Sequence, residues 1–159
     1  MEYTDILIDI RKIVRSINLE SKRIEKEYGI SIPQLLCLSY LKEKEEFKAS
    51  HSELKVFLQL NASTISGLIR RLEKKGLIAR LPKIGDKRVS YIVITAHGVD
   101  LLNKIPPLMH DRLTQKLQKL SDNELENLQQ SLKQIVSIMD IEDIDAAPMI
   151  TSGEPDGEV

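Results

Sequence analysis

Apolar residues recur along this chain at two different periods, and the change from one to the other divides it. Over residues 3 to 28, Ile6, Ile10, Ile13, Ile17, Ile24 and Tyr28 fall at helical spacing among charged neighbours, which predicts one long amphipathic helix ending at Gly29. A second helix is expected over residues 31 to 46, with Ser31 as N-cap, Pro33 in the first turn and Leu35, Leu38 and Leu41 on its inner side. Lys42 to Lys48 reads as a charge-dense, solvated exit. Ser50-His51-Ser52-Glu53 has the form of a capping box and opens a third helix through Leu54, Phe57 and Leu58.

After the short turn Gln59-Leu60-Asn61 comes the most informative stretch, residues 61 to 95. Ile65, Leu68, Ile69 and Leu72 stand at i, i+3, i+4 and i+7, so a helix capped by Asn61 and stopped by Gly76 turns all four to one side. Its other side then carries Ser63, Thr64, Ser66, Gly67, Arg70, Arg71 and Lys74. Beyond Gly76 the period shortens: LIARL and VSYIVI have strand composition, and Pro82, Gly85 and Asp86 supply turn chemistry between them. Two short helices joined by a tight turn, followed at once by a hairpin, make a winged helix-turn-helix plan. The fold class expected is mainly α with a small β-hairpin wing.

Thr95 caps a fifth helix, Pro106 and Pro107 predict a kink near Ile105, and Ser121-Asp122-Asn123-Glu124 is another capping box. The helix it opens carries a stripe of Leu125, Leu128, Leu132, Ile135 and Met139. The stripes of the first and last helices exceed what a small winged domain needs. They are expected to pack together across a two-fold axis as a homodimer, the alternative being that they close the core of a single chain. The parts expected are an N-terminal dimerisation helix (1–30), a DNA-binding lobe (31–95), C-terminal dimerisation helices (96–140) and an acidic, mobile tail (141–159).

Charge sharpens this picture. The chain of 159 residues has a net charge of only −1, but residues 70 to 88 hold eight basic and two acidic residues, and residues 121 to 159 hold ten acids and one Lys. The first cluster calls for a polyanion, and the second for solvent. With no Trp and two Phe, the core must be built mainly of Ile, Leu and Val, and an aromatic content of 4% argues against modules that stack single-stranded bases. One Cys allows no intrachain disulfide and fits a reducing cytoplasm. The start of the chain lacks the basic and apolar regions of a signal peptide, and no segment has the length of a membrane span.

Several candidate chemistries fall away. His51, His97 and His110 are scattered, His51 and His97 being expected exposed in first helical turns, and no metal site or cofactor is expected. No phosphate-binding loop, nucleophile elbow, zinc-protease motif or dinucleotide fingerprint is present, so no enzyme activity is expected. Cys37, beside Leu36 and Leu38, reads as a buried structural thiol rather than a redox sensor.

The segments STISGLIRRLEKKGLIAR, DKR at 86–88 and VSYIVITAHGVDLL resemble the DNA-binding core of the multiple antibiotic resistance regulator (MarR) family, and a weaker resemblance extends over residues 3 to about 140. This resemblance implies a homodimer on double-stranded DNA. Ser63, Thr64 and Ser66 would face the major groove, and Arg70, Arg71 and Lys74, with Lys83 and Lys87 of the hairpin, would meet the backbone. Arg88 would enter the minor groove while Asp86 accepts from an Arg side chain and holds the wing in shape. Gly67 departs from the long polar residues common there in the family, which would weaken direct readout or shift it to the neighbouring serines and threonine in favour of groove shape. The resemblance further implies a small, often aromatic effector that releases DNA. The competing class is a winged-helix module that docks a protein, which would need an apolar outer face.

Overall fold

The computed structural model describes residues 2–83, 85 and 88–146. Seven α-helices are found among them: α1 (Tyr3–Tyr28), α2 (Ile32–Glu43), α3 (His51–Leu58), α4 (Ala62–Lys74), α5 (Ala96–Lys104), α6 (Met109–Leu117) and α7 (Asp122–Ile138). Three short strands, β1 (Lys48–Ser50), β2 (Ile78–Arg80) and β3 (Tyr91–Ile94), form one antiparallel sheet in the order β1-β3-β2. The chain divides into two compact units, one running to Pro106 and the other starting at Pro107.

Local chemistry sets most of the element ends in the first unit. Gly29 ends α1 with a left-handed φ of 71°, and its N–H donates to the Glu25 carbonyl. Ser31 and Gln34 close a reciprocal capping box on α2, and Ser50 and Glu53 close one on α3. Asn61 Oδ1 accepts from the Thr64 N–H at 2.8 Å to start α4. Gln59, between α3 and α4, takes a left-handed φ of 53° and makes the sharp corner of the helix-turn-helix.

The second helix is shorter than expected. It stops at Glu43, and Lys44 is extended. A single 3-10 turn over Glu45–Phe47, with Glu46 and Phe47 both at positive φ, swings the chain into β1. The exit expected over Lys42–Lys48 is exposed from Glu43 to Phe47, but its last residue opens an edge strand: Lys48, Ala49 and Ser50 face Val93, Ile92 and Tyr91. The two expected strands pair with each other, β2 lying on the opposite side of β3 from β1, with Ile78 opposite Ile94 and Arg80 opposite Ile92.

The core of this unit is aliphatic. Ile24, Leu38, Leu41, Leu54, Ile65, Leu68, Ile69, Leu72, Ile78 and Ile92 are fully buried, so the four-residue stripe of α4 lies wholly inside. Burying a Leu or Ile side chain contributes roughly 1.5–3 kcal/mol, so this stripe fixes which face α4 shows to solvent. Cys37 belongs to the same core and is fully buried.

At the end of α5 the chain breaks rather than kinks. Ile105 is extended (φ −87°, ψ 124°), as a residue before Pro must be, and two successive prolines remove two N–H donors from any continuing ladder. Helix α6 starts afresh, with Asp111 Oδ2 accepting from the Leu108 N–H at 2.9 Å. In α7, Ser121 and Glu124 form the expected capping box. The acidic tail beyond Ala146, expected to be mobile, lies outside the described residues.

Candidate nucleic-acid interface

With the stripe of α4 buried, its opposite face is left to solvent. Ser63, Ser66, Arg70 and Lys74 are exposed there, and Thr64, Gly67 and Arg71 are half-buried at its margins. Helix periodicity brings these positions together on one side. Lys83 and Arg88, also exposed, lie on the segment joining β2 to β3, which turns at Gly85 with φ 80°. Asp86 and Lys87 lie outside the described residues, and the expected Asp86–Arg pairing with them.

The hydroxyls on this face are already oriented. Ser63 Oγ donates to Asn61 Oδ1 at 2.9 Å, which leaves its oxygen free to accept from an incoming donor. Ser66 Oγ lies 3.2 Å from His51 Nε2, across the corner between α3 and α4. His51 is therefore a member of this surface that the sequence pattern missed. It was expected exposed, yet it is half-buried, and its pKa is lowered by desolvation first and then by the positive charges of Arg80 and Lys55. Nothing local could have signalled the pairing, since its partner is fifteen residues away on another helix.

Not every cation of the basic cluster is available. Arg80 Nε donates to Glu73 Oε2 at 3.1 Å, and Lys75 Nζ donates to the Gly29 carbonyl, tying the end of α4 to the end of α1. Arg70, Arg71 and Lys74 lie along α4, and Lys83 and Arg88 on the hairpin segment. Cys37 stands apart from all of them, its thiol pushed up to about 12 by burial and so protonated throughout the physiological range.

The base of the interface is held by one short segment. Thr95 Oγ1 donates to the Gly76 carbonyl at 2.6 Å, the Thr95 N–H donates to the Leu77 carbonyl at 3.1 Å, and Thr95 Oγ1 accepts from the Gly98 N–H at 3.1 Å. Gly98 is required by close approach: a Cβ there would sit 2.4 Å from the Leu77 oxygen and 2.7 Å from Ile94 Cγ1. The start of α5 thus clamps the exit of α4 and the strand next to it.

Among the described residues no group of His, Cys, Asp and Glu could hold a metal ion, and no helix is long and apolar enough to cross a membrane.

Comparison with known proteins points the same way as this geometry. The MarR family model matches residues 30–90, which span α2 to the end of the hairpin loop. The transcriptional repressor MprA of Escherichia coli is 27% identical over 130 residues, covering 78% of this chain and 74% of its own. The regulator MhqR of Bacillus subtilis is 26% identical over 130 residues, covering 82% and 88%. Two solved structures share the fold: MepR of Staphylococcus aureus in a DNA complex (TM-score 0.62, 23% identity, 87% of this chain and 99% of that one) and Sco3205 of Streptomyces coelicolor in complex with DNA (TM-score 0.62, 19% identity, 92% and 94%). The helix-turn-helix and its wing thus match the MarR family model, and transcriptional regulators of Escherichia coli and Bacillus subtilis are similar to this chain over most of its length.

Proposed function

We infer that the chain is a sequence-specific, double-stranded-DNA-binding transcriptional regulator that works as a homodimer. The observation that carries this reading is the α4 surface: four buried aliphatic residues force a face of small hydroxyls and Arg or Lys outward, beside a hairpin segment that adds Lys83 and Arg88. Ser63, Thr64 and Ser66 near the start of α4 are suited to base edges in the major groove, and Lys74 with the hairpin lysines Lys83 and Lys87 to phosphates. Arg70 and Arg71 add positive charge to the same face. Arg88 is proposed for the minor groove, with Asp86 bracing the wing. The relatives are regulators, MprA being named a repressor, and repression is the sense of control proposed here. A small aromatic effector is supported by the family resemblance alone, and the cytoplasm is the compartment where such an activity belongs.

A protein-docking module would need a large apolar patch on the outward face of α4, and none of the outward residues there is apolar and large. The dimer is supported by helix faces left uncovered within each unit: Ile6, Leu7, Ile13 and Val14 on α1, and Leu128, Leu132 and Ile138 on α7 are all exposed. Two copies related by a two-fold would present their recognition helices to half-sites about one helical turn apart, roughly 34–36 Å.

The test is fluorescence anisotropy on duplexes selected from a random pool, titrated in salt, with wild type and Arg88→Ala. Selective binding that falls steeply with salt is expected, and Arg88→Ala should weaken it about tenfold, mostly at A·T-rich positions flanking the half-sites. Equal affinity of both proteins would remove Arg88 from the interface.

A further inference from the structure

The middle of the outward face of α4 carries a gap. Gly67 lies four residues after Ser63 and three and four residues before Arg70 and Arg71, which precede Lys74 by four and three, so Gly67 is central to the reading surface. A Cβ built on Gly67 would meet only Arg71 Nη2 at 3.6 Å and Arg70 Nη2 at 4.0 Å. Helical side chains lean toward the N-terminus over the residues three and four back, so both guanidiniums reach over the one position that has no side chain. A long side chain at 67 would push them apart toward the two walls of a groove, where phosphates lie. Without one, a guanidinium is seated on the midline, which faces the groove floor.

Resting on the DNA-binding reading above, we propose that Gly67 determines specificity by seating the Arg71 guanidinium centrally, so that Arg71 reads a guanine edge in the major groove instead of a phosphate. The planar fork of donors matches the O6 and N7 acceptors of guanine, a match that a lysine ammonium cannot reproduce although it keeps the charge. Arg70, slightly farther from the gap, flanks this contact. Direct readout is thereby moved along the helix from residue 67 to residue 71, and groove shape need not carry it.

The experiment uses the full chain. Sites are selected from a random duplex library, and the selected duplex is remade with 7-deazaguanine, which lacks N7, at each guanine in turn. Wild type should lose about tenfold or more at one guanine in each half-site. Arg71→Lys should bind the normal and deaza duplexes alike while keeping the wild-type salt dependence. Gly67→Gln should melt no lower than wild type, since glutamine is the better helix former, yet lose the same guanine preference. An Arg71→Lys protein that retains the full deaza penalty, or that weakens uniformly on every duplex, overturns the proposal and returns Arg71 to the phosphates. A folded wild type that selects no sequence at all overturns the DNA-binding reading itself, and this proposal with it.

Discussion

Single residues in this protein carry two kinds of message, and His51 carries both. Its ring touches Ser66 on the outward face of α4, and its pKa is depressed below 6.5 by desolvation and by Arg80 and Lys55. As pH falls through 6.5 the unfolded chain takes up this proton before the folded one, so stability declines over the window from 6.5 down to the folded value. Melting temperature should therefore drop more between pH 7 and pH 5.5 in wild type than in His51→Gln; parallel curves would show that the ring carries no such penalty. Cys37 delivers the opposite message. Fully buried and with its thiol raised to about 12, it should resist thiol reagents in the native state and react only at the rate of unfolding, so prompt labelling of native protein would contradict its placement. The thiol was legible as structural from its apolar neighbours alone, whereas the His51 contact was not, because it depends on how two helices cross.

Elements divide along the same line. Those specified within a few residues were readable: Ser31, Ser50, Asn61, Thr95 and Ser121 all cap where the pattern put them, and the stripe of α4 is buried as its period requires. Strand β1 was not readable, since Lys48, Ala49 and Ser50 have no strand composition and are extended only because β3 offers them a ladder. The double proline was readable as a breaker, but how completely it breaks depends on Ile105, which is driven out of the helical region, so α5 ends outright. The clamp at the start of α5 offers the sharpest element-scale test. Gly98→Ala would press a methyl against the Leu77 carbonyl at 2.4 Å, and a cost of about 1–3 kcal/mol is expected by thermal or chemical denaturation. Because the clamp holds the exit of α4, DNA affinity should fall with it even below the melting transition. Unchanged stability would mean that the strand can retreat without penalty.

At the scale of the whole molecule, charge and apolar surface are sorted to different regions. Arg70, Arg71 and Lys74 lie on α4, and Lys83 and Arg88 on the segment joining β2 to β3, while residues 121 to 159 of the sequence hold ten acids. Leu132 on α7 is 60% exposed and Ile13 on α1 is 55% exposed, values that are costly for isolated helices and ordinary for helices that meet another copy. The proposed homodimer predicts that melting temperature rises with protein concentration and that Leu132→Lys shifts sedimentation toward the monomer. It also predicts that the same variant loses affinity for a two-half-site duplex far more than for a single half-site. A concentration-independent melt with monomeric sedimentation in wild type would leave the apolar faces of α1 and α7 to another role. Charge asymmetry was visible in the sequence, but the identity of what covers these faces was not, since helical period says which side is apolar and never what it meets.

The order β1-β3-β2 has a consequence for how the molecule is made. Its central strand is the last of the three in the chain, so Lys48 waits for Val93, and Ile78 for Ile94. On the ribosome, neither edge strand has a partner until residue 94 has emerged, and the helix-turn-helix between them remains without its floor over that interval. Each edge is only three residues long, which limits what a nascent chain can mispair with in the meantime. The sheet beneath the helix-turn-helix is thus completed in one late step, and a chain arrested before residue 91 should leave the amides of residues 48–50 and 78–80 open to exchange.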